Sequence, residues 1–169
     1  MYSILVSTFV SLVIALTSVS FSHYLAQKIK FKSNLKGVVT EIQHNISILD
    51  DVMSIINNDN ILTKKEGKIT SLPLLKLDTF AFDYFVLEGH LMSLSEEDRH
   101  ILEEIYALFK IINECIERYE ETKYGVLYFS MAGKNIREGI SVFIGDLISK
   151  VKSLAEEFIQ RHINKKLNF

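Results

Sequence analysis

The most constraining feature of this sequence is its uncharged opening segment. No Asp, Glu, Lys or Arg occurs before Lys28, and the segment is rich in Ile, Leu, Val and Phe. A helix that spans a bilayer needs about 20 predominantly apolar residues. Serines and threonines within the segment reduce the gain from insertion but do not cancel it. Residues 1–27 are therefore predicted to form a single transmembrane anchor.

A cleaved signal peptide is the alternative interpretation, because Ser18 and Ser20 satisfy the small-residue rule for a peptidase. The region before Ile4, however, lacks the Lys or Arg that a signal peptide carries. The positive charges lie after the apolar segment instead, and no acid occurs before Glu41. The positive-inside rule then places the bulk of the chain in the cytoplasm, and the lone Cys115 agrees with a reducing compartment. We expect a single-pass protein of the cell membrane.

Small residues recur every three or four positions in this helix and form one stripe along it. The stripe consists of Ser7, Ser11, Ala15, Ser18 and Ser22. In lipid, helices associate through close backbone approach and hydroxyl hydrogen bonds, which small residues permit. The stripe predicts self-association or contact with a protein partner. Alternatively, the serines are merely tolerated, with their hydroxyls bonded to the preceding turn.

The segment 28–36 is a basic juxtamembrane region with two possible roles. Its positive residues are Lys28, Lys30, Lys32 and Lys36. They are expected to fix the topology and to extend toward the interface. They can also attract anionic lipid headgroups, which makes membrane lipid an expected partner.

Residues 37–169 show helical periodicity and no strand alternation of useful length. The first apolar face continues from the membrane helix, with Gly37 as a soft point, and a polar run, Asn57–Asn60, is predicted to end it. This face consists of Leu35, Val39, Ile42, Ile46, Leu49, Met53 and Ile56. A final helix is expected from about Lys134. Gly139 and Gly145 inside it predict close packing against a neighbour, because Gly is otherwise costly in a helix.

Two helices are predicted between these. A short one begins after Asp78 or Thr79, and Gly89 suits its C-terminal cap. Ser95 caps the next, whose first turn is acidic. The predicted fold class is all-α: a single N-terminal transmembrane helix followed by an antiparallel bundle of about four helices.

The short helix carries four aromatic residues that cannot share one face at helical spacing. They are Phe80, Phe82, Tyr84 and Phe85. The preferred interpretation is a helix covered on two sides. The alternative is an exposed docking patch.

The sequence offers only weak evidence for a catalytic site. Two Glu-x-x-His pairs, at Glu41/His44 and Glu97/His100, match the ligand spacing of di-metal bundles, but the helical phase turns both histidines away from the core. Cys115 lies among isoleucines and is expected to be a packed thiol. We therefore predict no catalytic residue, no metal and no cofactor. A net charge of −2 and a pI near 6.2 do not suit a general nucleic-acid binder.

Three stretches carry a family resemblance: LKGVVTEIQHNISIL, PLLKLDTFAFDYFVLEGHLMSL and DRHILEEIYALFKIINECIE. With the N-terminal anchor, residues 35–121 resemble small membrane-tethered helical proteins of bacteria and archaea that have no assigned function. The resemblance implies an anchor followed by a bundle, and it transfers no functional residue.

These features predict a non-enzymatic, membrane-anchored helical-bundle protein with an interaction or scaffolding role. Two alternatives remain open. One is an accessory subunit of a larger membrane complex. The other is a sensor or effector that binds a small ligand between its helices, for which an apolar cavity lined by Phe80, Tyr84 and Ile105 would be the sign.

Overall fold

The computed structural model describes the backbone of residues 2–66, 73–124 and 131–164, and the side chains of 7–59, 73–123 and 133–162. The described chain is helical and contains no strand. Helix α1 covers Tyr2–Glu66, α2 Phe80–Leu87, α3 Glu96–Tyr124 and α4 Met131–Asn164. A short 3-10 helix, His90–Ser93, follows α2. The all-helical class is therefore confirmed.

The chain divides into two compact units, Met1–Gly37 (unit 1) and Val38–Phe169 (unit 2). Helix α1 contributes to both units. The boundary falls at Gly37, the position that the sequence marks as a soft point. Unit 1 thus contains the predicted anchor and the basic segment, and unit 2 the predicted bundle.

Helix α1 does not end at Asn57–Asn60 but continues to Glu66. The prediction that the polar run ends the helix is wrong, because one residue of the run, Asp59, is buried in the core. The Asp59 carboxylate forms an ion pair with Lys123 of α3, with Lys123 Nζ 3.1 Å from Asp59 Oδ2. A buried carboxylate with a cationic partner is compatible with a continuing helix, whereas an exposed Asn/Asp run favours a turn.

Pairings within unit 2 define how α1 and α3 run. Tyr106 of α3 donates a hydrogen bond to Glu41 of α1 at 2.6 Å. Later in both helices, Lys123 pairs with Asp59. The sequence offsets are similar, so this part of α1 and α3 point in the same direction.

Helix α4 returns along α3. Arg161 near its end pairs with Glu97 in the first turn of α3 at 2.6 Å. Arg137 near its start donates to the carbonyl of Thr122 at 3.1 Å. Helix α4 therefore runs opposite to α3. Lys152 of α4 also forms an ion pair with Asp50 of α1.

The core of unit 2 is apolar and closed around these helices. Its fully buried large side chains are Ile42, Leu49, Ile56, Phe85, Leu102, Ile105, Tyr106, Phe109, Ile112, Ile116, Tyr119 and Phe158. The predicted phase of α1 is partly wrong: Leu35, Val39, Ile46 and Met53 are only half-buried. Val38, Ile48 and Val52 are buried instead, because α1 is contacted from two sides and its buried face is wider than one stripe.

Residues 73–79 precede α2 and belong to no helix or strand; this segment is called the strap here. Leu74 and Leu77 of the strap are buried. The strap leads into α2, which begins directly after Thr79 as predicted. Gly89 follows α2 with φ +72°, a left-handed conformation that glycine adopts at helix ends without strain.

The structure bears on the predicted cap of α3 and on the predicted start and glycines of α4. The Ser95 hydroxyl accepts from the backbone N–H of Asp98 at 3.1 Å, which confirms the cap. Helix α4 begins at Met131 rather than Lys134. At Gly145 an added Cβ would meet Met53 Cε at 3.7 Å, an ordinary van der Waals contact, so a neighbour is present but leaves room for a side-chain carbon. At Gly139 it would meet nothing within 4 Å, so the expectation of a close neighbour there is wrong.

Candidate functional site

Unit 1 presents an apolar helical surface whose described side chains are exposed. One helix of the described chain is long and apolar enough to cross a membrane, and its most apolar stretch lies near the N-terminus with none of its residues buried. The core helix of a soluble protein, which is mostly buried, and a signal sequence, which lies near the N-terminus, pass the same test of length and composition. The exposed large apolar residues of this segment are Phe9, Val10, Leu12, Val13, Ile14, Leu16, Val19, Phe21, Tyr24, Leu25 and Ile29.

The small-residue stripe lies on one side of this helix. Its five members are Ser7, Ser11, Ala15, Ser18 and Ser22, and all are exposed. At 100° per residue they fall within an arc of about 80°. Hydroxyl bonding to the preceding turn is present at Thr17, which donates to the carbonyls of Val13 and Ile14 at 2.9 Å. Thr17 lies outside the stripe, so this back-bonding does not account for the small residues.

The four lysines of the basic segment are all exposed. They are Lys28, Lys30, Lys32 and Lys36. At the boundary of the predicted anchor, the Gln27 amide nitrogen lies 3.0 Å from His23 Nε2. Along the helix, the exposed apolar residues are therefore followed by the polar His23–Gln27 pair and then by the basic segment.

The second exposed apolar surface belongs to α2. Phe80 is 81% exposed, Tyr84 42% and Leu87 84%. These residues at i, i+4 and i+7 lie on one face, which we call the α2 outer face. Phe82 and Phe85 point the opposite way and are buried. The preferred expectation that α2 is covered on two sides is therefore wrong, because only its inner side meets the described core.

Two contacts hold α2 against the core. The Glu41 carboxylate of α1 accepts from the backbone N–H groups of Ala81 and Phe82 at 2.6 and 3.3 Å. These donors belong to the first turn of α2, which has no acceptor within its own helix. The Phe82 ring stacks on Tyr106 with centroids 4.1 Å apart. Glu41 therefore caps α2 in place of Thr79, whose side chain makes no capping hydrogen bond.

Glu41 also affects Tyr106. Burial raises the pKa of Tyr106 above its ordinary value, and the hydrogen bond to Glu41 raises it further. The phenol is fully buried and acts as a donor to a carboxylate. Such a group fixes the position of α2 and offers no proton at neutral pH.

The strap is held by two asparagine side chains, which we call the asparagine clamp. Asn45 of α1 donates to the Asp78 carbonyl at 2.7 Å and accepts from the Asp78 N–H at 2.9 Å. Asn113 of α3 makes the same pair of bonds to Leu77 at 3.0 and 2.8 Å. Each amide satisfies a backbone N–H and a carbonyl that no helix of the strap's own could satisfy.

Sequence reasoning missed this clamp, although a signal existed. Asn45 occupies a position of the apolar series between Ile42 and Leu49, and it is fully buried. A polar side chain in such a position must find a partner, because burial without one is costly. The sequence did not show that the partner would be backbone from a connection more than 30 residues away.

A buried charged cluster lies at the other end of α3. Lys123 and Asp59 are both buried and form the 3.1 Å pair. Tyr119 donates to Asp59 at 3.4 Å, and burial raises its pKa above the ordinary tyrosine value. The Glu120 carboxylate lies 3.9 Å from Lys123 and accepts from the Leu74 N–H of the strap. The cluster thus joins α1, α3 and the strap.

The residues considered for catalysis are not assembled into a site. His44 and His100 are exposed, and Glu41 is engaged with α2. Within the described residues, no group of three or more His, Cys, Asp or Glu side chains is arranged to hold a metal ion. Cys115 is buried, and burial raises the pKa of its thiol, which disfavours the reactive thiolate.

Comparison with known proteins found no matching family model, no matching curated protein and no matching solved structure.

Proposed function

We propose that this chain is a single-pass membrane protein with a non-enzymatic interaction or scaffolding role at the membrane. The observation that carries the proposal is the uncharged, wholly exposed apolar surface of residues 7–27. Exposing that many large apolar side chains to water is strongly unfavourable. A bilayer removes this cost.

A retained anchor accounts better for the segment than a cleaved signal. The candidate cleavage residues Ser18 and Ser20 lie within helix α1, which continues to Glu66. The positive charges lie after the apolar segment. With the positive-inside rule, these lysines support a cytoplasmic position for unit 2.

Unit 2 is proposed to be an antiparallel bundle in which the strap and α2 occupy the fourth position. The opposed directions of α3 and α4 support this arrangement. Polar groups in and beside its core are engaged in structural roles: buried Asn45 holds the strap, half-buried Glu41 caps α2, and buried Asp59 pairs with Lys123. This use of the polar residues supports an interaction role over an enzymatic one.

An accessory subunit of a larger complex is the second candidate. The exposed α2 outer face and small-residue stripe favour it, because both suit contact with another protein. A ligand-binding sensor has less support. Phe80 is exposed and Ile105 is fully buried, so the cavity that this alternative needs is not formed by those residues.

Membrane retention tests the proposal. Val13→Lys combined with Leu16→Lys adds two charges near the centre of the anchor, each costing about 2.5–3.5 kcal/mol there. We expect the parent protein to remain in the membrane fraction after alkaline carbonate washing and the double variant to be lost from it. Val142→Lys combined with Phe143→Lys is the matched control, because both positions are exposed on α4. Equal retention of anchor variant and parent would contradict the proposal.

A further inference from the structure

We propose that the α2 outer face docks an amphipathic helix of another protein whose apolar stripe is flanked by Lys or Arg. The inference rests on the proposed interaction role and names the chemistry of the partner. It starts from the spacing of the exposed residues Phe80, Tyr84 and Leu87. Their intervals of four and three residues are those of the d, a and d positions of a heptad, the seam along which two helices pack. The face therefore has the pattern of one half of a helix pair.

Two acidic residues border this seam. Asp83 precedes Tyr84 and occupies the g position, and Glu88 follows Leu87 and occupies the e position. Both acidic side chains are exposed. Helix α2 and its C-cap contain no Lys or Arg. Charges at e and g positions set partner choice, because opposite charges across the seam attract and like charges repel. The acidic border therefore favours a helix with Lys or Arg beside its apolar stripe.

The same two acids argue against other occupants of the face. A second copy of this chain would bring an identical acidic border to the seam, and an anionic membrane surface would also repel it. Zwitterionic lipid would cover the apolar side chains without placing a net positive charge opposite the acids. A basic amphipathic helix covers the apolar side chains and pairs both acids, so its chemistry complements the whole face.

The inner side of α2 is fixed, so the seam is presented in one orientation. Glu41 of α1 accepts from N–H groups of the first turn, and Phe82 stacks on Tyr106 of α3. The asparagine clamp holds the strap immediately before α2. A partner helix therefore meets a preorganised surface, which lowers the entropic cost of binding.

Exposed apolar side chains also lie beyond both ends of α2. Leu75 of the strap precedes it, Met92 of the 3-10 helix follows it, and both are exposed. The strap is bonded to Glu120 of α3 through the Leu74 N–H, and the Met92 sulfur lies 3.0 Å from a guanidinium nitrogen of Arg99. Glu120 and Arg99 are about 30 Å apart along α3. The segment that carries the seam thus runs beside a length of α3 that a partner helix of about 20 residues would match.

Two designed peptides test the proposed partner chemistry. Each has three heptads with Leu at a and d, and one carries Lys at every e and g position where the other carries Glu. Full-length protein in phosphatidylcholine nanodiscs is titrated into each labelled peptide at low salt, with empty nanodiscs as the blank, and fluorescence anisotropy measures binding. We expect the Lys peptide to bind about tenfold tighter than the Glu peptide, because each acid exchanges attraction for repulsion.

Charge reversal on α2 makes the test specific to the seam. Asp83→Lys combined with Glu88→Lys should reverse the preference, so that the Glu peptide binds tighter. Asp146→Lys combined with Glu156→Lys is the matched control, because both acids are exposed on α4, and it should leave the preference unchanged. Equal binding of the two peptides by the parent, binding of neither, or a preference that the α2 variant retains would overturn the proposal.

A single tryptophan shows whether the face is already occupied. The chain contains no tryptophan, so full-length Tyr84→Trp reports the centre of the seam. We expect emission typical of an aqueous residue, which shifts to the blue when the Lys peptide is added. A blue shift before addition overturns the proposal: quenching by brominated lipid then identifies lipid as the occupant, and its absence identifies protein, such as a second copy. Loss of the parent protein on carbonate washing overturns the anchor alone, because the peptide preference belongs to unit 2.

Discussion

At the residue scale, the asparagine clamp attaches the strap of unit 2 to two helices. Asn45 and Asn113 each satisfy one N–H and one carbonyl of the strap, which lies outside the helices. An amide is the one uncharged side chain that donates and accepts in this paired geometry. The connection between α1 and α2 therefore depends on two side chains on different helices.

Replacing Asn45 with Ala should lower the free energy of unfolding by about 1–3 kcal/mol, because the Asp78 backbone groups lose their partners. Chemical denaturation monitored by circular dichroism measures this change. Asn58→Ala is the control, since Asn58 is exposed on the same helix. If both variants unfold at the same denaturant concentration as the parent, the clamp contributes nothing to stability.

Leu108 provides a test of the packing of α3. Leu108 is buried and Ala107 beside it is exposed. Leu108→Asp should cost more than about 4 kcal/mol, because a carboxylate would be buried without a partner. Ala107→Asp should be nearly neutral. A Leu108→Asp protein whose thermal unfolding matches that of the parent would show that the helical phase is wrong.

The buried tyrosines predict alkaline sensitivity. Burial, and for Tyr106 also Glu41, raises the pKa of Tyr106 and Tyr119 above the usual value of about 10. Above that pH the unfolded chain releases these protons while the folded protein keeps them. The stabilising contribution is complete below about pH 10 and declines as pH rises further, by up to about 1.4 kcal/mol per pH unit for each tyrosine.

Denaturation at several pH values checks this expectation. Tyr106→Phe removes one titrating group, so the loss of stability per pH unit above pH 10 should become shallower than in the parent. Below pH 10 the variant should differ from the parent by a constant amount, the cost of the lost hydrogen bond to Glu41. An unchanged slope in the alkaline range would contradict the assignment.

At the element scale, the small-residue stripe is proposed to determine what the anchor contacts. Ser11→Leu combined with Ala15→Leu fills the stripe and should weaken self-association or recovery of a partner from detergent extracts, because the backbones no longer approach closely. Val13→Leu with Ser20→Leu adds bulk on the opposite side and is the control. Assembly unchanged in the stripe variant, measured by crosslinking or light scattering, would exclude the stripe as a contact.

The elements also show how far sequence reasoning extends. Ser95 and Gly89 were predictable as helix boundaries because capping is a local property of a few residues. The end of α1 was not predictable, since Asp59 is stabilised by Lys123, which lies 64 residues later. The burial of Asn45 and the exposure of Phe80 likewise depend on where the strap and α2 lie. Tertiary position, rather than local preference, decided these cases.

At the scale of the whole molecule, the two units differ in how their apolar side chains are covered. Unit 2 has a closed apolar core and internal partners for its buried polar groups, so it has the features of a domain that holds its shape. Unit 1 has apolar side chains that no described part of the protein covers. Under the proposed function, unit 1 provides location and unit 2 provides a surface for contact at that location.

The most direct test of the proposed anchor is the mass of the chain recovered from washed native membranes. Retention in lipid predicts that intact-protein mass spectrometry finds the polypeptide in the membrane fraction with residues 1–27 still attached. Recovery from the aqueous fraction of a chain that has lost its first two dozen residues would contradict the anchor, the orientation and the membrane contacts together.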